Sequence, residues 1–146
     1  MAFVDDADVQ IHLPYDKLRL EGIPDDVSDA KEYAERIVRG YLAGVFESTT
    51  IASWTDPSTT PSQIRLVTGL FAAAKVYRLR YSEDALEDPE FAQQLYNEAM
   101  AMINDIRSGA IELDGVTDPG TIFDNSWFTP NDASTDEPKF HMADIY

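Results

Sequence analysis

Two histidines, His12 and His141, stand near opposite ends of this 146-residue chain, and there is no cysteine. Neither has a second histidine at helical or loop spacing, as a metal site or a nucleophile–base pair would need. Both therefore read as structural residues. Disulfides, thiolate metal sites and cysteine nucleophiles are excluded outright. Three acidic clusters occur, at Asp5/Asp6/Asp8, Asp25/Asp26/Asp29 and Glu83/Asp84/Glu87/Asp88. Paired carboxylates serve two-metal phosphoryl chemistry, so these are the metal candidates to weigh. The first two sit where helices start, and acids there answer the helix dipole. The third falls in a turn and lacks the glycine and the spacing of a calcium loop. No glycine-rich phosphate cradle occurs. The residue types thus predict no catalytic group, no metal, no cofactor, and a protein that is not an enzyme.

One positive concentration exists: Arg65, Lys75, Arg78 and Arg80. As a nucleic-acid patch it is thin, and it sits in a strongly acidic chain. Salt bridges within a helix or between subunits are the expected use. In an oligomer these cations would pair with the acidic arms of a neighbour.

The formal net charge is −16 and is unevenly spread. Residues 1–35 hold ten acids against three bases (10 − 3, net −7), and residues 112–146 hold eight against one (8 − 1, net −7). Residues 36–111 hold nine acids and seven bases and are close to neutral. Most of the surface should repel nucleic acid and anionic membranes. Such charge serves solubility, pairs with basic partners, or lets DNA pass without sticking.

Apolar content of 44%, with 11% aromatic residues, is ample for a packed core in one domain with extensions. The longest apolar run, Leu66 to Val76, is far shorter than the ~20 residues that span a bilayer, so no membrane role is expected. The first residues lack a basic region followed by an apolar run, so no signal peptide is expected.

The elements that would position these groups are helical. Asp5 to Pro14 suits a short helix with acids at its front, although Val9, Ile11 and Leu13 also alternate as in a strand. Tyr15 to Val27 reads as a loop broken by Gly22 and Pro24. Ser28 then caps a helix whose apolar face is Ala30, Tyr33, Ala34, Ile37, Val38, Tyr41, Leu42 and Val45. Phe46 to Thr60 reads as a polar connection, with Trp54 as a hydrophobic plug and Asp56-Pro57 as a turn. A second long helix, capped by Thr60 with Pro61 first, runs to Tyr81 and is apolar nearly all round, as in the centre of a bundle. A third starts at Asp88-Pro89-Glu90, buries Ala92, Leu95, Tyr96, Ala99, Met102, Ile103 and Ile106, and stops at Ser108-Gly109. Ile111 and Leu113 alternate as a short β segment.

Beyond Val116 the chain is acidic, carries Pro119, Pro130 and Pro138, and spaces bulky residues apart: Ile122, Phe123, Trp127, Phe128, Phe140, Met142, Ile145 and Tyr146. It is too short for a second core, yet too aromatic for a solvated tail. An extended arm laid on a partner, or on its own domain, is the expectation. The predicted architecture is all-α: residues 1–27 as a short helix and loop, 28–113 as a small bundle of three main helices closed by the β segment, and 114–146 as the arm.

Four segments in order carry a family resemblance: Asp8-Val9-Gln10-Ile11-His12-Leu13, Ala34 to Leu42, Pro61-Ser62-Gln63-Ile64 through Tyr77-Arg78, and Ile106 to Leu113. Together they resemble the head–tail connector (adaptor, or head-completion) proteins of tailed bacteriophages, over roughly residues 6–113. The resemblance implies a non-enzymatic virion protein at the head–tail interface, made in the host bacterial cytoplasm. It implies a homo-oligomeric ring, usually twelve-fold, beneath the portal protein, extending the DNA channel and docking the stopper or tail-completion protein. DNA would pass through without specific binding. Phe123, Trp127, Phe128, Phe140, Met142, Ile145 and Tyr146 would then face the portal or a neighbouring subunit. Another class of function fits the charge alone: an acidic helical module that neutralises a basic partner, as a nucleic-acid mimic or an antitoxin-like binder does.

Overall fold

The computed structural model describes residues 2–13, 20–83 and 89–116. Five α-helices run in the order α1 (Asp6–Gln10), α2 (Pro24–Leu42), α3 (Ser48–Ser53), α4 (Ser62–Glu83) and α5 (Pro89–Ser108), with one 3-10 turn at Leu20–Gly22. The fold is all-α.

Helix α4 is the central element and packs against α1, α2 and α5. Its sequence dictates this, because Ile64, Val67, Leu70, Phe71, Ala72, Ala73, Ala74 and Val76 are all buried and point in several directions. Thr68 is fully buried among them, and its hydroxyl donates to the Ile64 carbonyl oxygen at 2.7 Å, which satisfies the one polar group it brings. Helix α2 buries a narrow stripe of Val27, Ala30, Ala34, Val38 and Leu42. Tyr33 lies outside that stripe and is 43% exposed, its ring meeting the Lys75 ammonium 4.9 Å from the centroid. On α5, Ala92, Leu95, Ala99, Ile103 and Ile106 are buried, with Tyr96 and Met102 packed at the edge of the core. Phe71 and Tyr96 join α4 to α5 edge-to-face, with centroids 5.4 Å apart.

The helix ends show where local chemistry decides and where it misleads. Asp5 and Asp8 form a reciprocal capping box that starts α1. Helix α2 begins at Pro24, a turn ahead of Ser28, because a proline at the first helical position loses no hydrogen bond and Asp25 and Asp26 complement the dipole. Ser28 is an exposed residue within the helix. Before α4 it is the Pro61 carbonyl that accepts the first helical N–H, from Arg65, while the Thr60 hydroxyl donates back to the Asp56 carbonyl at 2.8 Å. Gly109, at φ +79°, ends α5: its N–H reaches the Ile106 carbonyl and that of Ala110 reaches Asp105, the paired bonds of a Schellman stop.

The Phe46–Thr60 connection, expected to be a polar loop, holds the short helix α3. No strand occurs among the described residues, so Ile111 to Leu113 is not a β segment within this body. Leu113 is instead buried as an anchor after the helix stop. The residues before α2 do not form a separate unit, since Phe3, Val4, Val9 and Leu13 all enter the one core. Residues 117–146, with the predicted arm, lie outside the described residues, as do His141 and Asp84, Glu87 and Asp88 of the third acidic cluster.

Candidate functional site

Each of the four cations singled out in the sequence meets a partner inside the chain. Arg65 forks onto Asp8, with Nη2 at 2.6 Å from Oδ1 and Nε at 3.2 Å from Oδ2, and its charge lies 3.9 Å from Asp5. The hydrogen bonds to Asp8 raise the pKa of the guanidinium above its ordinary value. Arg80 reaches Asp26 at 2.7 Å, tying the end of α4 to the start of α2. Lys75 and Arg78 differ. Lys75 lies over the Tyr33 ring, while Arg78 lies 5.6 Å from the Tyr96 centroid and donates to the Gln93 amide oxygen. Neither forms an ion pair with a carboxylate among the described residues.

The acids of the first cluster are therefore structural clasps for α1. Asp8 holds α4 through Arg65, and Asp6 accepts from Lys31 of α2 at 2.5 Å. The α1 backbone rests directly on α4 at Gly69, where a Cβ would stand 2.7 Å from the Asp8 carbonyl oxygen. Only glycine allows that approach. His12 lies beside this contact, half-buried. Burial lowers its pKa from the ordinary histidine value, against the opposing pull of Glu98 and Asp8. Among the described residues no group of three or more His, Asp or Glu side chains is placed to hold a metal ion. No described helix is long and apolar enough to cross a membrane.

A polar node that the sequence reading missed lies at the other edge of α2. Glu35 is buried and accepts the Phe3 backbone N–H at 3.3 Å. Arg39, one turn on, donates Nε to Glu35 at 2.9 Å and reaches the carbonyl oxygens of Ile51 and Trp54, each at 3.3 Å. Its guanidinium also covers the Phe3 ring at 4.3 Å. Trp54, 2% exposed, is wedged edge-on between Phe3 and Phe46, at 6.0 and 6.1 Å. The plug expected of Trp54 is thus in place, and an ion pair locks it. The available signal was the Glu35/Arg39 spacing of four beside an apolar stripe, which exposed helix faces also show.

Two concavities lie near the start of α4. One, of 480 Å³, is lined by Thr49, Thr50, Ser53 and Thr59 together with Asp114 to Val116. The other, of 410 Å³, lies between α1 and α4 and carries Ile11 and Leu66, which are 79% and 41% exposed. Asp114 ties the two together. Its carboxylate accepts from the Ser62 hydroxyl at 2.7 Å, and its N–H donates to the Gln63 side-chain oxygen at 3.2 Å. The Ser62 hydroxyl first, and the Gln63 side chain after it, hold the Asp114 carboxyl below the usual carboxylate value.

No protein-family model, no curated protein and no solved structure matches this chain.

Proposed function

We propose that this protein is a structural adaptor of a phage head–tail interface, a virion component that assembles as a ring beneath the portal. The observation that carries the reading is where the four resembling segments lie in one body. Asp8 to Leu13 clasps α4, Ala34 to Leu42 and Pro61 to Arg78 pack as α2 and α4, and Ile106 to Leu113 closes the bundle. The helical body is the ring unit in this reading. The acidic surface keeps DNA mobile in the channel, because like charges suppress phosphate contacts. The aromatic residues beyond Val116 anchor the unit to the portal or a neighbouring subunit, and the opposite face receives the stopper or tail protein. Of the four cations, Lys75 and Arg78 are carried forward as intersubunit partners, since Arg65 and Arg80 already hold carboxylates of their own chain.

The test is the mass of the purified chain, alone and mixed with candidate portal particles. Ring-sized assemblies on portal, lost when the chain is cut after Val116 although its helical signal persists, are the expected outcome. A stable monomer without portal affinity that instead titrates a basic protein would favour the second reading, an acidic neutralising module, which the net charge of −16 supports.

A further inference from the structure

Eight lysines and arginines fall among the described residues, and five of them hold a carboxylate of their own chain: Lys31, Arg36, Arg39, Arg65 and Arg80. The other three, Lys75, Arg78 and Arg107, hold none among the described residues, and each lies over a tyrosine instead. In a chain with 27 acids against 11 bases, a cation without an acid is the exception to explain. Packing brings all three to one face. Lys75 and Arg78 are three residues apart on α4 and share a side of it. Lys75 reaches Tyr33 of α2, while Arg78 reaches Tyr96 and Gln93 of α5, so that side opens on the groove between α2 and α5. Arg107 spans the same groove further along, from α5 onto Tyr41 of α2, 5.7 Å from the ring centroid.

The two helix edges that frame this groove carry no acid. On α2 the stripe is Tyr33, Ile37 and Tyr41, and on α5 it is Gln93, Asn97, Met100, Asn104 and Arg107. An arginine stacked on a ring is fixed in place while the edge of its fork stays open to a carboxylate. The face is therefore suited to acid from outside the chain. Acid of that kind lies on the far side of the same helix. Glu98 and Asp105 are exposed, share a side of α5 at a spacing of seven, and form no salt bridge among the described residues. Asp105 stands two residues before Arg107, about 200° from it round the helix. The spacings also agree: Tyr33 and Tyr41, the seats of Lys75 and Arg107, are about 12 Å apart along α2, and Glu98 and Asp105 about 10 Å along α5. Facing away from each other, the two surfaces cannot meet within one chain. A two-fold pair would need both turned to one partner, which opposite sides of α5 forbid, so the geometry left is head to tail.

We infer that the α2–α5 groove of one copy receives the Glu98/Asp105 edge of α5 from the next copy. Lys75, Arg78 and Arg107 are then one half of a repeating head-to-tail contact, and those two acids are the other half. This contact rests on the ring reading for the fact of assembly and adds the two surfaces that build it.

Charge reversal on each half tests it in the full chain, alone and with candidate portal particles. Arg78→Glu with Arg107→Glu, and separately Glu98→Lys with Asp105→Lys, alter exposed residues only, and an unchanged helical signal checks the fold. Each double variant should assemble about tenfold more weakly than the native chain, and an equal mixture of the two should assemble like the native chain, because alternating copies restore every contact. Carbodiimide, which joins an amine to a carboxylate in contact, should link Lys75 to Glu98 or Asp105 between light- and heavy-nitrogen copies of the native chain. Assemblies that form equally well in both variants, a mixture that recovers nothing, or links confined to one isotope overturn this contact and leave the ring standing. A native chain that stays monomeric at every concentration and on portal overturns the ring and the contact together.

Discussion

The α2–α4–α5 seam and the Phe3–Trp54 corner are buried to similar depth, yet different forces hold them. In the seam, side chains such as Phe71, Leu70, Val38 and Ile103 meet across helices, and nothing polar is needed beyond Thr68 returning its hydroxyl to its own helix. Burial there is additive and tolerant, worth roughly 1.5–3 kcal/mol for each large side chain. In the corner, the N-terminal segment and the α3 stretch converge on Glu35 and Arg39 of α2, whose partly desolvated charges are answered by the Phe3 N–H and the carbonyls of Ile51 and Trp54. Such a node specifies one arrangement, and it fails as a unit. The seam supplies stability, whereas the corner fixes where the N-terminal segment and α3 sit.

Substitutions can break this contrast at either end. Phe71→Ala should have the largest effect, lowering the free energy of unfolding by about 3–5 kcal/mol in chemical denaturation, with hydrogen exchange quickening across α2, α4 and α5 together. A loss confined to one helix would mean that the seam is not a single cooperative core. Glu35→Ala should cost less, about 1–3 kcal/mol, because it strands the Phe3 N–H and the Arg39 charge. Its signature is local: faster exchange at Phe3 and Ile51 to Trp54 while the α4 amides hold. Adding Arg39→Ala should cost less than the sum of the single losses, since one node cannot be lost twice.

The smallest effect sharpens the contrast at the α1–α4 contact. The folded-state pKa of His12 is lowered by burial, so the unfolded chain binds its proton more readily. The stabilising contribution is therefore full above the ordinary value of 6.5 and is lost as pH falls toward the folded value. Stability measured from about pH 7 down to pH 5 should decline more gently in His12→Asn than in the native chain. The groups facing this histidine, Asp8 of α1 and Glu98 of α5, oppose the shift and keep the slope shallow. An identical slope in both chains would place His12 in bulk-like solvent.

Much of the seam was legible from residue order alone. The spacing of Ala30, Ala34, Val38 and Leu42 gives α2 its face, and the near-continuous apolar surface of α4 marks it as central. Pro89 at the first position and Gly109 past the last bracket α5. Helix α3 was hidden, because Ser48-Thr49-Thr50-Ile51-Ala52-Ser53 is short and rich in residues of weak helix propensity. The start of α2 is not legible in the sequence, because Pro24 serves equally well as a breaker or as the first residue of a helix.

The candidate site was legible only as a set of residue types. That Arg65, Lys75, Arg78 and Arg80 would be engaged follows from charge on a buried helix, but their partners do not. Asp8 is 57 residues from Arg65, and Asp26 lies 54 residues before Arg80 (80 − 26). No periodic pattern encodes contacts at that separation. The sequence by itself determined the three long helices, their apolar faces and their stops, because these depend on neighbours three or four residues away. Only the tertiary structure decided that α1 would rest on Gly69, that Glu35 and Arg39 would lock Trp54, and that Ile11 and Leu66 would share a cleft between α1 and α4. Those arrangements depend on which helices meet, and that is set by the packing of the whole body.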